Sequence, residues 1–583
     1  MHFFLFLCYT INGDDIMTLK EIRLIKGLNQ SDSASYLGIS LRSYKSYEND
    51  LDKKGTTKYN IMCSKIAHYY NGILPLEEDE GFLTDVIYGS RLQKMVEDIK
   101  EYKKRECYKD IYDYIYSGNN QRVLILYGLR RTGKTTLIKQ LISEMNSEDF
   151  KRSAIIQIKS SDTLREVNKD LKLLEKLGYK YIFIDEVTKM DDFIEGAALF
   201  SDVFVACGMK IVLSGTDSLS FMFTKHHELY DRCIIIHTTF IPYYEFENVL
   251  GIKGIDKYIE YGGTMSVGGK EYNNDFFNVE SVNEYVDSAI AHNIQHSLKN
   301  YQYEGHFRSL YELYEKKELT NAINRVVEDI NHRFTVEVLT KKFKSNDFSL
   351  SSKNLRKDKV KPIDYLDNID KEKFTENYKF LLDILDKNEQ KVKVDESHAF
   401  EIKEYLRALD LLLEIDTRSL SNVHASEKKV VISQPGLRYS QALFLVQALL
   451  MDKRFSDLEI EEMERIISRI LSDIKGRMLE DIVLLESKIL LKNKEVFKLF
   501  FDFGEYDMVI LDKKTHRVDL YEIKYNDEVY EEQYKHLEDE EKNKLVERYF
   551  GKINKRCVLY RGKTKKVNNI QYLNVEEYLL NLK

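Results

Sequence analysis

Tryptophan is missing from the 583 residues, whereas tyrosine reaches 40. Together with abundant Lys, Asn and Ile, this bias marks an AT-rich genome and restricts no fold class. Positive charge is not in excess, with 88 Lys and Arg against 96 Asp and Glu and a formal net charge of −8. That excludes a uniformly basic nucleic-acid coat and confines any DNA contact to a local patch. The 6 cysteines (Cys8, Cys63, Cys107, Cys207, Cys233 and Cys557) never form a CxxC pair, which argues against zinc knuckles and dithiol redox motifs. Thiols scattered through a large chain fit a reducing, cytoplasmic setting. No stretch reaches the ~18 uncharged apolar residues of a membrane span, so no membrane partner is expected. The apolar run within Met1–Tyr9 is too short to cross a bilayer. It has no Lys or Arg ahead of it and no small-residue cleavage site behind it. We read residues 1–16 as a dispensable leader before Met17. Fixed-period repeats and low-complexity tracts are also lacking.

What is present is ample apolar material: 43% of the chain is hydrophobic and 32% charged, a globular rather than a disordered balance. At roughly 100–200 residues per domain, three to five domains are expected. Residues 17–75 read as short helices over 19–25, 30–37 and 41–47, with Gly38 as a helix stop and Ser40 as an N-cap. An acidic linker follows at 76–85. Residues 86–250 begin with helix to about 121. Strands then alternate with helices at Arg122–Tyr127, Ala154–Ile158, Tyr181–Asp185, Lys210–Ser214 and Ile234–Thr238, the mark of a parallel sheet covered on both faces. Residues 251–400 read as a mostly helical lid or linker with a charged loop near Ser351–Lys361. Residues 401–450 read as helix followed by a strand at Lys429–Ile432, and 470–583 as helix, hairpin and strand.

The chemistry concentrates first at Gly128-Leu129-Arg130-Arg131-Thr132-Gly133-Lys134-Thr135-Thr136. This segment fits the phosphate-binding pattern G-x-x-x-x-G-K-[ST], with an apolar strand before it and an amphipathic helix after it. Glycines let backbone N–H groups converge on phosphates. Lys134 is expected to reach the β- and γ-phosphates of ATP, and Thr135 to hold Mg²⁺. At the end of the strand Tyr181–Asp185, Asp185 is expected to share the Mg²⁺ and Glu186 to orient and deprotonate the attacking water. The alternative is that Asp185 and Glu186 merely cap the next helix. Ser214 or Thr216 is expected either near the γ-phosphate or in a plain turn. Arg232 is either an arginine finger acting on a neighbouring copy of the chain, which would require a homo-oligomer, or a surface arginine.

These residues resemble a large prokaryotic branch of AAA-type ATPases whose loop reads G-x-R-R-x-G-K-T. Later landmarks recur in order: Ser214-Gly215-Thr216, Asp231-Arg232 in place of Gly-Arg, Pro242-Tyr-Tyr-Glu-Phe246, and Gly262-Gly263-Thr-Met. The resemblance continues through Tyr405–Ile415 and Lys429–Leu437, which is similar to that branch's winged-helix-like and D-P-G-L elements with Gln434 in place of Asp. The winged element either touches DNA or only packs. Nearer the end, Glu480 lies on an amphipathic helix, Asp507 in a strand, and Glu522 and Lys524 two residues apart in the next. Period two puts the last pair on one face, and a hairpin through Asp512–Arg517 would bring Asp507 beside Glu522. Carboxylates gathered there suit Mg²⁺, with Lys524 stabilising developing phosphate charge. A half-buried alternating strand would give E-x-K as well. This pattern is similar to PD-(D/E)XK nucleases, and the resemblance implies metal ligands at Glu480, Asp507 and Glu522 and catalytic roles for Asp507, Glu522 and Lys524.

At the other end, Gln30, Ala34, Leu37-Gly38-Ile39-Ser40 and Tyr47-Glu48-Asn49 resemble the Cro/repressor helix-turn-helix. That resemblance makes Leu41–Tyr47 a recognition helix. Arg42, Ser43 and Lys45 would contact bases or phosphates, and Gln30 the DNA backbone. Basic residues exceed acidic ones by 4 between Met17 and Ile73. The alternative is a helix-turn-helix used for protein contact, and Ser33, where an apolar residue is usual, is expected to loosen its packing. The expected architecture is therefore multidomain. It comprises an all-α helix-turn-helix head, an α/β P-loop domain with a parallel sheet, a helical and winged-helix-like middle, and an α/β restriction-nuclease-like end. The expected function is an ATPase coupled to DNA reading, in regulation or defence, with or without Mg²⁺-dependent cleavage. The alternative is a transcriptional regulator that uses ATP as a switch and cuts nothing.

Overall fold

The computed structural model describes residues 10–11, 15–16, 18–25, 28–50, 53–54, 56–67, 81–97, 99, 102–117, 122–129, 131–190, 192–216, 229, 231–238, 240–263, 307–319, 321–323, 325–327, 330, 394–420, 428–451, 453, 457–502 and 504–582. Most of the expected leader, Arg130, the 351–361 loop and much of the expected helical lid lie outside these.

The described residues of the head form four helices, Leu19–Ile25, Gln30–Tyr36, Leu41–Asn49 and Thr57–Ala67. Leu19, Ile22, Leu28, Ala34, Tyr44, Tyr59, Met62 and Ile66 form its core. The turn between the second and third helices uses Gly38 at φ 65°, and the Ser40 hydroxyl accepts from Ser43 N, satisfying an N-terminal donor. Ser33 is fully buried, and its hydroxyl donates to the Asn29 carbonyl at 2.9 Å. The polar group is thus satisfied inside its own helix.

The central sheet has six strands in the order Asp85–Ile87, Ser153–Gln157, Tyr181–Asp185, Lys210–Gly215, Val123–Tyr127 and Cys233–His237. All pairings are parallel except that of the first strand. Val123–Tyr127 and Tyr181–Asp185 are buried along their whole length, as strands covered on both faces must be. The region read as helix from 86 onward instead opens with an edge strand, and its helical part divides into Gly89–Glu97 and Tyr108–Tyr116. Val86 and Ile87 are both buried, so this short apolar run meets the sheet rather than starting a helix.

Past the middle, helix Glu396–Ala408 stops where Asp410 takes a left-handed φ of 54°. The following Leu412–Ser419, read from the sequence as helix, is a strand paired antiparallel with Lys428–Ile432. β-Branched and alternating residues after a helix stop favour that outcome. The pair joins the C-terminal sheet. Eight strands run in the order 428–432, 412–419, 495–500, 505–512, 517–523, 552–560, 570–574 and 565–567. Strands from residues 401–450 and from residues 470–583 therefore share one sheet. Helix Ile460–Leu490 packs on it and buries Ile466, Ile470, Ile474, Met478 and Ile482. From this helix Glu486 reaches the central region and accepts from Tyr243 N at 2.8 Å. Tyr243 is the first residue of helix Tyr243–Leu250.

Glu486 is fully buried. Desolvation pushes its carboxyl up to about 8, partly countered by the Tyr243 N–H. The folded chain thus holds a proton that the unfolded chain releases near 4.5, so this contribution to stability is complete below that value and is lost as pH rises through about 8. Glu486→Gln abolishes the titration. Urea denaturation at about pH 5 and about pH 8 should show the variant losing less stability over that interval than the parent. Equal losses would contradict a protonated buried carboxyl.

Candidate nucleotide site and an ion-paired acidic cluster

The phosphate loop leaves the buried strand Val123–Tyr127 and ends in helix Lys134–Ser143. Gly133, at φ 88°, and Arg131, at φ 61°, both adopt left-handed backbone, an alternation that turns N–H groups into a concave nest. Lys134 is buried, and its ammonium donates to the carbonyls of Gly128 at 2.8 Å and Leu129 at 2.9 Å. Thr132 is buried and bonds the Leu129 carbonyl at 2.8 Å. Leu129 itself packs into the apolar cluster of Leu406, Leu409 and Leu437. Thr136 is half-buried at the start of the helix.

The Thr135 hydroxyl donates to Asp185 Oδ2 at 2.8 Å. The other Asp185 oxygen accepts from Ser214, at the end of the strand lying between the loop's strand and that of Asp185. Glu186 follows at φ 59°. A left-handed backbone costs a non-glycine residue about 1 kcal/mol, and here it turns the carboxylate out of the strand line toward Thr216, whose hydroxyl lies 3.5 Å from Oε2. Thr135, Lys134, Asp185, Glu186, Ser214 and Thr216 thus gather at the C-terminal ends of parallel strands, where α/β sheets bind ligands. The donor set fits a nucleotide with Mg²⁺: a buried ammonium on loop carbonyls, a nest of N–H groups, and a hydroxyl beside a carboxylate. Arg232 lies at the opposite end of its strand, where its carbonyl accepts from Val123 N. It is half-exposed and pairs with Asp202 at 3.1 Å.

Residues 120–247 match the family described as an AAA domain. The chain carries an AAA P-loop domain. A solved structure, that of the Aeropyrum pernix Orc1 protein in complex with DNA, is 10% identical and is covered over 98% of its length by 63% of this chain. Its TM-score of 0.22 carries no argument. No curated protein matches.

Outside the AAA domain, Asp507 and Glu522 sit on antiparallel neighbours whose register, Met508 opposite Tyr521, brings them together one step further on. Lys524 bonds both, at 3.1 Å to Asp507 and 2.7 Å to Glu522. Glu480 comes near from helix Ile460–Leu490. The sequence reading missed two further members. Lys498, from the unread strand Glu495–Phe500, is 1% exposed and lies 2.6 Å from Glu480, 2.7 Å from Glu505 and 3.9 Å from Asp507. A lone lysine inside the apolar run Val496–Phe500 and the i, i+2 spacing of Glu505 and Asp507 were the available signals. Glu480 also pairs with Arg477 at 2.6 Å and Lys429 at 3.4 Å.

Burial opposes the charge on Lys498, yet Glu480 and Glu505 overcome it and raise its pKa. Burial likewise opposes ionisation of Glu480, but Arg477, Lys429 and Lys498 hold its carboxyl well below the usual range. Glu522 goes the other way, raised by burial and by Asp507. Glu480, Glu505 and Asp507 offer oxygens close enough to share one ion. The Lys498 ammonium stands among these oxygens as their internal counter-ion.

In the head, Arg42 and Lys45 are exposed and Ser43 is half-buried. Gln30 donates to Glu48 at 2.8 Å, and Arg23 pairs with the other oxygen of the same carboxylate, also at 2.8 Å. Gln30 is therefore engaged within the domain.

Replacing Lys498 by Met keeps the volume but leaves Glu480 and Glu505 short of a partner. Urea denaturation should register a loss of about 3 kcal/mol or more. A loss below about 1 kcal/mol would place these pairs with ordinary surface ion pairs.

Proposed function

We propose that the chain binds ATP with Mg²⁺ and hydrolyses it, and that this cycle is coupled to DNA recognised by the helix-turn-helix head. The observation that carries the reading is the Thr135–Asp185 hydrogen bond at the base of a loop whose buried Lys134 donates to the carbonyls of Gly128 and Leu129. On binding, the Lys134 ammonium exchanges those carbonyls for phosphate oxygens, and the loop N–H groups hold the β-phosphate. Thr135 and Asp185 are placed to hold Mg²⁺, which neutralises charge on the phosphates when bound. Glu186 orients the water and takes its proton, with Ser214 and Thr216 fixing the strand ends around it. Arg232 remains a candidate finger toward a second copy of the chain.

For the head, the exposed pair Arg42 and Lys45 on helix Leu41–Asn49, together with the local excess of basic residues, supports entry of that helix into the major groove. For the C-terminal domain, Lys498 favours the reading in which the nuclease-like sheet supports regulation and cuts nothing. Cleavage would require the carboxylates to exchange a buried ammonium for metal.

Lys134→Ala should abolish ATP hydrolysis. Glu186→Gln should bind ATP while turnover falls about 10²–10⁴-fold. Phosphate release and equilibrium ATP binding measure the two, and unchanged turnover in the Lys134 variant would overturn the reading. In mobility-shift assays the full chain should bind duplex DNA with affinity falling steeply as salt rises. Arg42→Ala with Lys45→Ala should weaken binding and flatten the salt slope by roughly 1–2. No shift at low salt with any duplex would mean the head contacts protein instead.

A further inference from the structure

Arg105 belongs to none of the motifs that mark the nucleotide site, yet it is 6% exposed and every arm of its guanidinium is engaged. Nη1 donates to the carbonyls of Thr132 and Thr238, each at 2.8 Å, Nη2 to that of Phe240 at 2.7 Å, and Nε to Glu245 Oε2 at 2.8 Å. The second Glu245 oxygen accepts from Glu106 N at 2.7 Å. Three carbonyls from two separate segments therefore converge on one cation, and one of them belongs to the phosphate loop.

A trans peptide is planar, and its C=O and N–H point in opposite directions. No described peptide is cis. With the Thr132 carbonyl held on Arg105, the Gly133 N–H must face away from Arg105. Gly133 is the residue whose left-handed φ of 88° opens the helix that starts at Lys134. Without the guanidinium, the Thr132–Gly133 peptide could rotate as a unit and turn a carbonyl oxygen, instead of an N–H, toward an incoming phosphate.

We propose that Arg105 is a positioning residue for the phosphate loop, fixing the Thr132–Gly133 peptide plane so that the Gly133 N–H faces the nucleotide phosphates, with Glu245 holding Arg105 in place. This rests on the ATP-binding reading above. Glu245 is itself well anchored. It lies on the helix Tyr243–Leu250, whose first N–H is taken by Glu486 from the C-terminal region. A charge-assisted hydrogen bond to a carbonyl holds a peptide plane more firmly than a neutral one. The planar fork that meets three carbonyls and a carboxylate at once is a shape lysine cannot reproduce.

The loop N–H groups contact phosphate in both the ground state and the transition state. Loosening them therefore raises KM with little effect on kcat. Arg105→Lys in the full chain should raise the KM and the Kd for Mg·ATP about tenfold and change kcat much less. Glu245→Gln should move KM in the same direction by a smaller factor. Leu171→Ala, at a buried position on helix Leu164–Lys176 of the same domain, serves as the control. It should lower the melting temperature and leave KM in place, which separates positioning from general loss of stability. A folded Arg105→Lys protein whose KM and Kd lie within about twofold of the parent would overturn the proposal. Lys134→Ala is assayed alongside. If it binds ATP as the parent does, the ATP reading itself fails and the Arg105 proposal falls with it. If Lys134→Ala loses ATP while Arg105→Lys does not, only the positioning role is lost.

Discussion

The Asp185 carboxylate holds the nucleotide end of the molecule together. One oxygen takes the Thr135 hydroxyl from the start of the loop's helix, and the other takes Ser214 from the end of a neighbouring strand. Burial makes both bonds matter, because an unpartnered carboxylate at that depth would be costly. Three chain segments far apart in sequence are thereby registered against each other at their ends, where backbone hydrogen bonding within the sheet stops. The loop geometry, the turn of Glu186 and the approach of Thr216 all follow from that fixed point.

Much of this was legible in the sequence because the responsible residues sit next to strong local signals. An apolar run before Gly128 and another before Asp185 mark buried parallel strands, and each chemical residue stands directly at a strand end. The head was legible for a similar reason: Gly38 and Ser40 announce a turn and a cap within a few residues. What escaped was whatever depends on distant partners. Leu412–Ser419 reads as helix from Leu-rich composition, and only its pairing with 428–432 and 495–500 makes it a strand. Asp85–Ile87 is too short to show a period, and Lys498 looks like a surface lysine until the fold buries it among carboxylates. Arg105, in a run of charged residues, carries no signal of burial at all.

Several of the deep carboxylates among the described residues stand against a fixed cation: Glu48 has Arg23, Glu245 has Arg105, Asp481 has Arg438 at 2.6 Å, and Glu480 has Lys498. Such pairs add little net stability compared with apolar packing, but they penalise misassembly heavily, because any arrangement that separates them strands a charge in the interior. In a chain built from several packed units, that penalty selects one arrangement among many that would bury similar apolar area.

The eight-stranded sheet has a consequence for how the protein is made. The strand Leu412–Ser419 lies between Lys428–Ile432 on one side and Glu495–Phe500 on the other. Its first neighbour emerges from the ribosome almost at once. The second must wait until the whole of helix Ile460–Leu490 has been synthesised. At about 5–20 residues per second, this leaves one edge of the strand open for on the order of ten seconds. Open strand edges recruit foreign strands. The nascent chain is thus most exposed to aggregation in that interval, and a chaperone that shields the 412–432 hairpin would have its largest effect there.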